Sequence, residues 1–287
     1  ILARMFLKEV LVIGSLHYDI FLESQQLPRI GETTRGQKWY PKLGGKGGNQ
    51  AVAASLYPVP TKILSAIGKD NFANYILKNL QETNVDTSYI QHLDNHNSGM
   101  SVAISNNEGD YGAIIVSGSN LHIDQNALLN NDLWKNIGIL MIQNEVDEQL
   151  NLLAAKKAKE KGIKVFYNAA PAKKIHSDLY QYVDILLVNM IEAEDITGMK
   201  ITKLEEILKS SQSLSNSFSN VIISAGEQGV VLCEKDKQPI HFEGIKVKVK
   251  STHGAGDTFA GTFCASWISG NNVNESIIIA NKKAAEF

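Results

Sequence analysis

A short glycine-rich stretch near the end of the chain combines an anion site with a base. Residues 254–256 read Gly-Ala-Gly and stand directly before Asp257, and an apolar run typical of a helix follows. A helix that begins on small residues presents unpaired backbone N–H groups, which together with the helix dipole attract an anion. A carboxylate there would repel a phosphate unless it takes a proton from an attacking hydroxyl. The stretch therefore favours phosphoryl transfer to an alcohol, and the alternative is a turn in which Asp257 only caps the helix.

A second glycine-rich stretch lies far upstream. Residues 44–50 read Gly-Gly-Lys-Gly-Gly-Asn-Gln, and an alanine-rich run that favours a helix follows. So many glycines are costly inside a helix or a strand, so we expect a turn that leads into the helix and brings the backbone close to a ligand. The stretch lacks the Gly-Lys-Ser/Thr ending of a Walker A loop, and no Gly-x-Gly-x-x-Gly dinucleotide fingerprint is present.

Composition excludes several classes of protein. The chain has 287 residues, a formal net charge of −2 and 44% hydrophobic residues, which suits an α/β domain with at most a small appendage. The charge predicts no nucleic-acid partner, and no apolar run is long enough for a membrane span. Cys233 and Cys264 give no disulfide framework or metal-ligand spacing, so a reducing cytoplasm is expected. The first residues are too short and interrupted for a signal peptide, and we expect Met5 to be the native start.

Segments typical of strands alternate with segments typical of helices after Asn120. This alternation predicts a mostly parallel sheet with helices on both faces and with the loops after its strands on one edge. Two β-rich patches, 19–40 and 97–117, predict a small antiparallel lid, leaving 1–18, 41–96 and 118–287 for the α/β domain. The strand-like segments are 10–14, 99–105, 112–116, 137–142, 165–167, 185–188 and 221–224, and the helix-like ones are 148–161 and 204–214.

Five further segments, in consistent order, complete a pattern that covers nearly the whole chain. They are the first strand at 10–15, Pro-x-x-Gly-Glu-Thr within 27–33, Ile-Gly-Lys-Asp at 67–70, Asn-Ala-Ala-Pro-Ala at 168–172 and Asn-x-x-Glu at 189–192. In the fourth, Ala169 replaces a proline of the usual Asn-Pro-Ala-Pro-Ala. Together with the two glycine-rich stretches, these segments resemble the ribokinase-like (PfkB) carbohydrate kinase family, and its ribokinases most closely.

The resemblance implies a three-layer sandwich, in which a mostly parallel central sheet lies between helices, plus a small β lid. It implies transfer of the γ-phosphate of ATP, with Mg²⁺, to a primary hydroxyl of a pentose or a related sugar. It also implies that Asp257 is the general base. The amides that would stabilise the transferred phosphate are those of Gly254, Ala255 and Gly256.

The resemblance assigns further residues to three groups. Those implied to bind the acceptor, together with Asp257, are His17, Asp19, Gly45, Lys46, Asn49 and Glu145. Those implied to lie along the nucleotide are Asn189, Ser224, Gly226, Gly229, Gly254 and Gly256. Asn189 and Glu192 are implied to organise Mg²⁺ through water. From the residues alone, simpler interpretations stay open: Asp19 as a turn or N-cap aspartate, Lys46 as a solvated lysine, Glu145 as a surface glutamate, and Asn189 with Glu192 as a plain helix-capping pattern.

The chain departs from the ribokinase pattern in three places. His17 stands where an asparagine contacts ribose, so the preferred acceptor can differ from free ribose. Ser251 replaces an aspartate of a monovalent-cation site and brings no negative charge, so we do not expect activation by potassium. Residues 277–287 resemble the start of a helix that helps to wall the adenine site in the family. Two explanations stay open, namely that the sequence is cut short at Phe287 or that this copy is defective.

Several functions stay open at this stage. A nucleoside kinase of the same family is the main alternative, with His17 and Tyr18 facing a base. A non-catalytic sugar- or nucleotide-binding protein on the same scaffold is another, and an oxidoreductase is opposed by the missing dinucleotide fingerprint. Because the β-rich patches would leave sheet edges and apolar faces uncovered, we expect a homodimer that pairs through the lid.

Overall fold

The computed structural model describes residues 8–106, 111–245 and 254–286. The strands are β1 (Glu9–Ile13), β2 (His17–Ser24), β3 (Gly36–Gly44), β4 (Thr61–Gly68), β5 (Val85–Leu93), β6 (Gly99–Ser105), β7 (Tyr111–Val116), β8 (Ile137–Gln143), β9 (Lys164–Asn168), β10 (Ile185–Asn189), β11 (Asn220–Ser224), β12 (Val230–Glu234) and β13 (Ile240–Phe242). The helices are α1 (Lys46–Ser55), α2 (Asn71–Gln81), α3 (Glu148–Glu160), α4 (Ser177–Tyr180), α5 (Met190–Thr197), α6 (Leu204–Ser215), α7 (Ala255–Ile268) and α8 (Val273–Glu286).

The larger sheet of the described chain has nine strands in the order β13-β12-β11-β10-β9-β8-β1-β4-β5. Every pairing from β5 to β11 is parallel, whereas β12 and β13 are antiparallel. The strand order reverses at β1, because the chain proceeds outward to β4 on one side and to β8 on the other. Such a reversal opens a crevice at the carboxyl ends of the strands, where ligands of α/β proteins commonly bind.

Helices cover both faces of this sheet, as the alternation of segments predicts. Side chains of β1 alternate between the faces: Val10 and Val12 belong to one buried cluster, and Leu11 and Ile13 to the other. Helices α1, α2, α7 and α8 pack into the first cluster, and α3, α5 and α6 into the second. The predicted three-layer α/β fold is confirmed.

The smaller sheet has the order β3-β2-β6-β7 and extends over the carboxyl edge of β1. Its outer pairings are antiparallel, but β2 and β6 are parallel, so the prediction of an antiparallel lid is wrong for the central pair. The reason lies in the larger sheet. β1 and β5 point the same way, and each continues after a few residues into β2 or β6.

Helix α1 begins earlier than the glycine content suggests. It begins at Lys46, after Gly45 with φ of 84°, so Gly47 and Gly48 lie in its first turn. A Cβ on Gly47 would lie 2.5 Å from the carbonyl carbon of Gly14. The glycine lowers the helix propensity, but it lets the helix start contact the backbone that follows β1.

The chain between β7 and β8 forms short 3₁₀ turns that the sequence patterns do not predict. Leu128, Leu133 and Trp134 anchor them in the hydrophobic cluster beneath α3. No helix in the described part of the chain has the length and apolarity needed to cross a membrane.

Candidate functional site

A cavity of about 390 Å³ lies in the crevice, between the carboxyl edge of the large sheet and the inner face of the small one. The structure brings the predicted acceptor residues together here, although they come from four separate parts of the chain. The predicted residues that line the cavity are His17, Asp19, Gly45, Lys46, Asn49, Glu145, Asn189, Glu192, Ser224, Gly254, Gly256 and Asp257.

Asp257 lies in the first turn of α7 and is only 8% exposed. Its Oδ1 accepts a hydrogen bond from Nε2 of Gln50 at 2.9 Å, and its Oδ2 accepts one from Nδ2 of Asn49 at 3.2 Å. Burial raises the pKa of this carboxyl, and it outweighs the lowering by Lys46 and by the two amide donors. A carboxyl with a raised pKa at a cavity wall is suited to accept a proton from a bound hydroxyl.

Lys46 begins α1 and places its ammonium group among three carboxylates. Burial lowers the pKa of Lys46, but the carboxylates of Asp257, Glu145 and Glu192 together hold it above its ordinary value. The lysine is therefore charged at neutral pH, and it offsets part of the negative charge that the carboxylates bring to the cavity.

Glu145 follows β8, which pairs with β1, the strand at which the sheet order reverses. Its Oε2 accepts hydrogen bonds from the hydroxyl of Ser15 and, at 2.9 Å, from the backbone N–H of Lys46. The side chain is partly buried, so it is not simply a solvated surface glutamate. It ties the loop after β1 to the start of α1.

Asp19 and His17 project from β2 on the face that meets the cavity. The hydroxyl of Ser101, on the paired strand β6, donates to Oδ1 of Asp19 at 2.5 Å. His17 is 2% exposed, and its Nε2 has no hydrogen-bond partner among the described residues. A buried ring nitrogen without a partner is costly, so His17 is suited to a polar group of a ligand.

Tyr18 does not reach the cavity. Its ring lies on the opposite face of β2 and stacks on Phe72 of α2, with 4.3 Å between the ring centroids. The expectation that Tyr18 faces a base is therefore wrong, because successive residues of a strand point to opposite faces.

Helix α7 begins at the cavity with unpaired amides. Gly254 precedes it with φ of 95°, and no side chain caps the helix start. Among the described residues, the N–H groups of 255–257 have no hydrogen-bond acceptor. Apart from its own helix turn, a Cβ on Gly256 would meet no atom of the described residues within 4 Å, and Gly256 lines the cavity. This is the arrangement that binds an anion at a helix start.

Asn189 and Glu192 form a complete capping box at the start of α5. Oδ1 of Asn189 accepts from the N–H of Glu192, and Oε2 of Glu192 accepts from the N–H of Asn189, both at 2.8 Å. The capping interpretation is thus confirmed, which does not exclude the predicted second role. No group of three or more metal-ligating side chains exists in the described part of the chain. The cap uses Oδ1 of Asn189 and Oε2 of Glu192. That these two residues organise Mg²⁺ through water stays a prediction.

The remaining predicted residues lie at different distances from the cavity. Ser224 ends β11 at the wall, whereas Gly226 and Gly229 form the turn behind it and do not line the cavity. Ala255 is the first residue of α7 and is also absent from the lining. Ser251 lies outside the described residues.

Sequence patterns missed several residues that shape the site. Ser101 reaches Asp19 only through the pairing of β6 with β2, which no local pattern reveals. Gln50 touches Asp257 because α1 packs on α7. Ala113 and Ile115 of β7 form an apolar wall. Of these residues, only Gln50 could have been suspected from the sequence, because it is a polar residue at the start of an apolar helical run.

Comparison with known proteins agrees with this geometry. The pattern of the pfkB family of carbohydrate kinases matches residues 7–286. A ribokinase of Lactococcus lactis is 34% identical over 277 residues, which cover 95% of this chain and 88% of that protein. A ribokinase of Staphylococcus aureus is 31% identical and covers 96% and 92%. The structure of Arabidopsis thaliana ribokinase complexed with ribose and ATP superimposes with a TM-score of 0.89, at 27% identity, over 97% of this chain and 92% of that one.

The match spans the whole described chain, and it includes the sheet, the crevice and both glycine-rich helix starts. As a phosphotransferase, the chain is neither a non-catalytic binding protein nor an oxidoreductase. This chain therefore belongs to the pfkB family of carbohydrate kinases, and it is a sugar kinase that acts on an alcohol group.

Proposed function

We propose that the protein transfers the γ-phosphate of ATP to a primary hydroxyl of a pentose or a related sugar. One observation carries the proposal: the buried carboxylate of Asp257 lies beside the open amides of α7, in the cavity that also holds the acceptor residues. Base and anion site are thus within one helical turn, as in-line transfer to a hydroxyl requires. The Arabidopsis ribokinase bound to ribose and ATP supports the choice of both substrates.

The acceptor sugar would lie between the two sheets. Asp19 is placed to accept hydrogen bonds from neighbouring hydroxyls, and Ser101 fixes its orientation. Asn49 and Lys46 face the same space from α1, and His17 offers its unpartnered nitrogen. The sugar hydroxyl that reacts would point at Asp257.

The nucleotide would approach along β11 and end at α7. Ser224, Gly226 and Gly229 form the strand end and turn next to this path, and the amides of 254–256 would hold the migrating phosphoryl group. Asn189 and Glu192 would orient waters of Mg²⁺, which neutralises charge on the phosphates when it is bound. Since Ser251 brings no charge, we keep the prediction that activity does not depend on potassium.

An assay of ADP release tests the proposal. The protein is incubated with ATP, Mg²⁺ and one acceptor at a time from a panel of pentoses, hexoses and nucleosides, and the product is identified by ³¹P NMR. We expect turnover with a pentose or a related sugar and a phosphate ester at its primary hydroxyl. The proposal fails if no acceptor raises ADP release above that of the Asp257→Asn variant.

A nucleoside kinase is the second candidate, and His17 is the observation that favours it. An imidazole that replaces an amide in the acceptor pocket can bond to a base as well as to a sugar. The same panel separates the two, because a nucleoside kinase would turn over nucleosides faster than free sugars. His17→Asn should then move the preference towards ribose.

We propose that the small sheet is a lid through which two copies associate. The sheet face that points away from the cavity is apolar, with Ile20 and Leu22 on β2 and Ile104 on β6. Trp39 and Ile114 on its outer strands are 62% and 73% exposed. Large exposed apolar patches are typical of protein interfaces. This lid comprises about 19–40 and 97–117, and the rest of the chain forms the α/β domain.

The oligomeric state follows from light scattering at several protein concentrations. We expect a dimer for the parent protein and a monomer for Trp39→Lys combined with Ile114→Lys. The control is Ile278→Lys, a change at a 57% exposed residue of α8, which should leave the mass unchanged. A parent protein that is monomeric at every concentration contradicts the lid interface.

A further inference from the structure

Two fully buried glutamines stand behind Asp257 and do not line the cavity. Nε2 of Gln50 donates to Oδ1 of Asp257 at 2.9 Å, and Nε2 of Gln143 donates to Oε1 of Gln50 at 2.8 Å. Gln143 ends β8, Gln50 lies in α1 and Asp257 lies in α7. The chain of hydrogen bonds therefore joins the central sheet to the base through two side chains.

The charge of Asp257 fixes the direction of both amides. A carboxylate only accepts, so Gln50 must present its NH₂ group to it and leave its own oxygen to a donor. Gln143 supplies that donor, and its Oε1 then has no partner among the described residues. A Cβ on Gly14 would lie 2.1 Å from this Oε1, so a glycine is required beside it.

Packing alone does not explain the pair. Apolar side chains at both 50 and 143 would fill the same space without burying two amides, one of which has an unpaired oxygen at a cost in free energy. In a low-dielectric interior, a hydrogen-bonded network is rigid when a charged group at one end fixes which members donate and which accept. The pair is suited to restrain the carboxylate that it meets.

We propose that Gln50 and Gln143 are positioning residues, which hold Oδ1 of Asp257 away from the reaction and leave Oδ2 to take the proton of the acceptor. Asn49, which lines the cavity, donates to Oδ2 at 3.2 Å, so this oxygen lies on the cavity side. The inference rests on the proposed function in one respect, namely that Asp257 is the base.

Charged groups around Asp257 also influence its pKa, so the test must leave them in place. Among the described residues these are Lys46 of α1, Glu145 after β8 and Glu192 of α5. Burial raises the pKa of Asp257, whereas Lys46 and then Gln50 lower it. Loss of the Gln50 donor should therefore raise this pKa further, while the three charged neighbours stay in place.

A ¹³C NMR titration of the protein labelled at aspartate carboxyl carbons tests the proposal without requiring activity. The Asp257 signal is assigned by its loss in Asp257→Asn. We expect Gln50→Met to raise the midpoint by about one pH unit, the effect of one hydrogen bond to a charged group. Gln143→Met should raise it by less, because it acts through Gln50. Gln91→Met, the same change at a glutamine of β5 away from the cavity, is the control.

The double variant separates positioning from general disturbance. If Gln143 acts through Gln50, Gln143→Met adds nothing in the Gln50→Met background, as a double-mutant cycle requires. Gln50→Glu keeps the shape of the side chain and brings a second carboxyl to Asp257, so it should give the largest rise. Where Gln50→Met does not fold, Gln143→Met leaves Gln50 in place, and the shift of its midpoint still tests the proposal.

The pH profile of kcat/KM gives a second measurement, because its acidic limb reports the essential base of the free enzyme. The limb should move with the NMR midpoint, while the KM for ATP stays unchanged. Unchanged midpoints in folded variants, or shifts that add in the double variant, overturn the proposal. A parent protein without phosphotransfer would instead defeat the proposed function, and the titration would still decide the role of the glutamines.

Discussion

The two glycine-rich helix starts look alike in sequence but differ in what their amides bind. Helices α1 and α7 both follow a glycine with positive φ, 84° at Gly45 and 95° at Gly254, and neither has a side-chain hydrogen bond at its cap. At α1 the protein itself takes the donors: the N–H of Lys46 bonds to Glu145, and that of Gly48 bonds to Ser15. At α7 the N–H groups of 255–257 have no acceptor among the described residues.

The glycines differ in the same way. Gly47 is needed because the backbone of Gly14 and Ser15 lies against it, whereas no described residue beyond its own helix turn lies within 4 Å of a Cβ on Gly256. The first helix start thus uses its donors to hold the protein's own loops in place, and the second leaves its donors without an acceptor among the described residues. Glycine content alone indicates neither use, and the two uses predict opposite effects of mutation.

The largest effect should come from the base at the open helix start. Asp257→Asn should lower kcat by about two to four powers of ten, the usual contribution of general-base catalysis. ATP binding, measured by calorimetry, should be largely intact because the amides of α7 remain. Near-normal turnover would remove Asp257 from the role of base.

Gly256→Ala tests whether the open space belongs to a phosphate. The residue is helical and an added Cβ meets no atom of the described residues outside its own helix turn, so the melting temperature should not fall. Turnover should drop by about a hundredfold, because displacement of a reacting group by about 1 Å has this effect. Unchanged kcat would show that the helix start does not contact the transferred group.

Gly47→Ala tests the closed helix start. Its Cβ would lie 2.5 Å from backbone that cannot move away freely, so we expect about 1–3 kcal/mol lower free energy of unfolding. Urea unfolding measures this loss, and Gly256→Ala serves as the matched control. Equal stability of the two variants would contradict the contrast drawn between the helix starts.

The smallest effect concerns pH. Burial raises the pKa of Asp257, and the carboxylate is the form that accepts a proton, so kcat/KM should fall as pH drops through this raised value. The acidic limb should therefore lie above the ordinary aspartate pKa of about 3.9. It should vanish in Asp257→Asn, which rate measurements at saturating ATP can determine.

The sequence predicted those parts of the fold that depend on local patterns. Alternating segments gave the three layers, and the glycine-rich stretches located both helix starts at the cavity. The parallel pairing of β2 with β6 was not predictable in this way, because it depends on the direction in which β1 and β5 leave the large sheet. The presence of Ser101 in the site was therefore not predicted, since its partner Asp19 is 82 residues away in the chain.

The two glutamines behind Asp257 are a second case in which contacts between distant parts of the chain could not be predicted. Gln50 was visible only as a polar residue in a helix, and Gln143 as the end of an apolar strand. Gln50 meets Gln143 because α1 packs on β8, and it meets Asp257 because α1 packs on α7. Both contacts are properties of the assembled core. Tyr18 illustrates the converse, because its neighbour His17 enters the site and strand geometry turns the tyrosine away.

Gly261, one helical turn beyond Asp257, sets how closely the two helices approach. A Cβ there would lie 2.4 Å from the backbone oxygen of Gln50 and 2.6 Å from the side chain of Ala53. Any larger residue would push α7 away from α1 and carry Asp257 away from Asn49 and Gln50. A glycine that does not line the cavity thus sets the spacing between the two helices that carry Asp257 and Asn49.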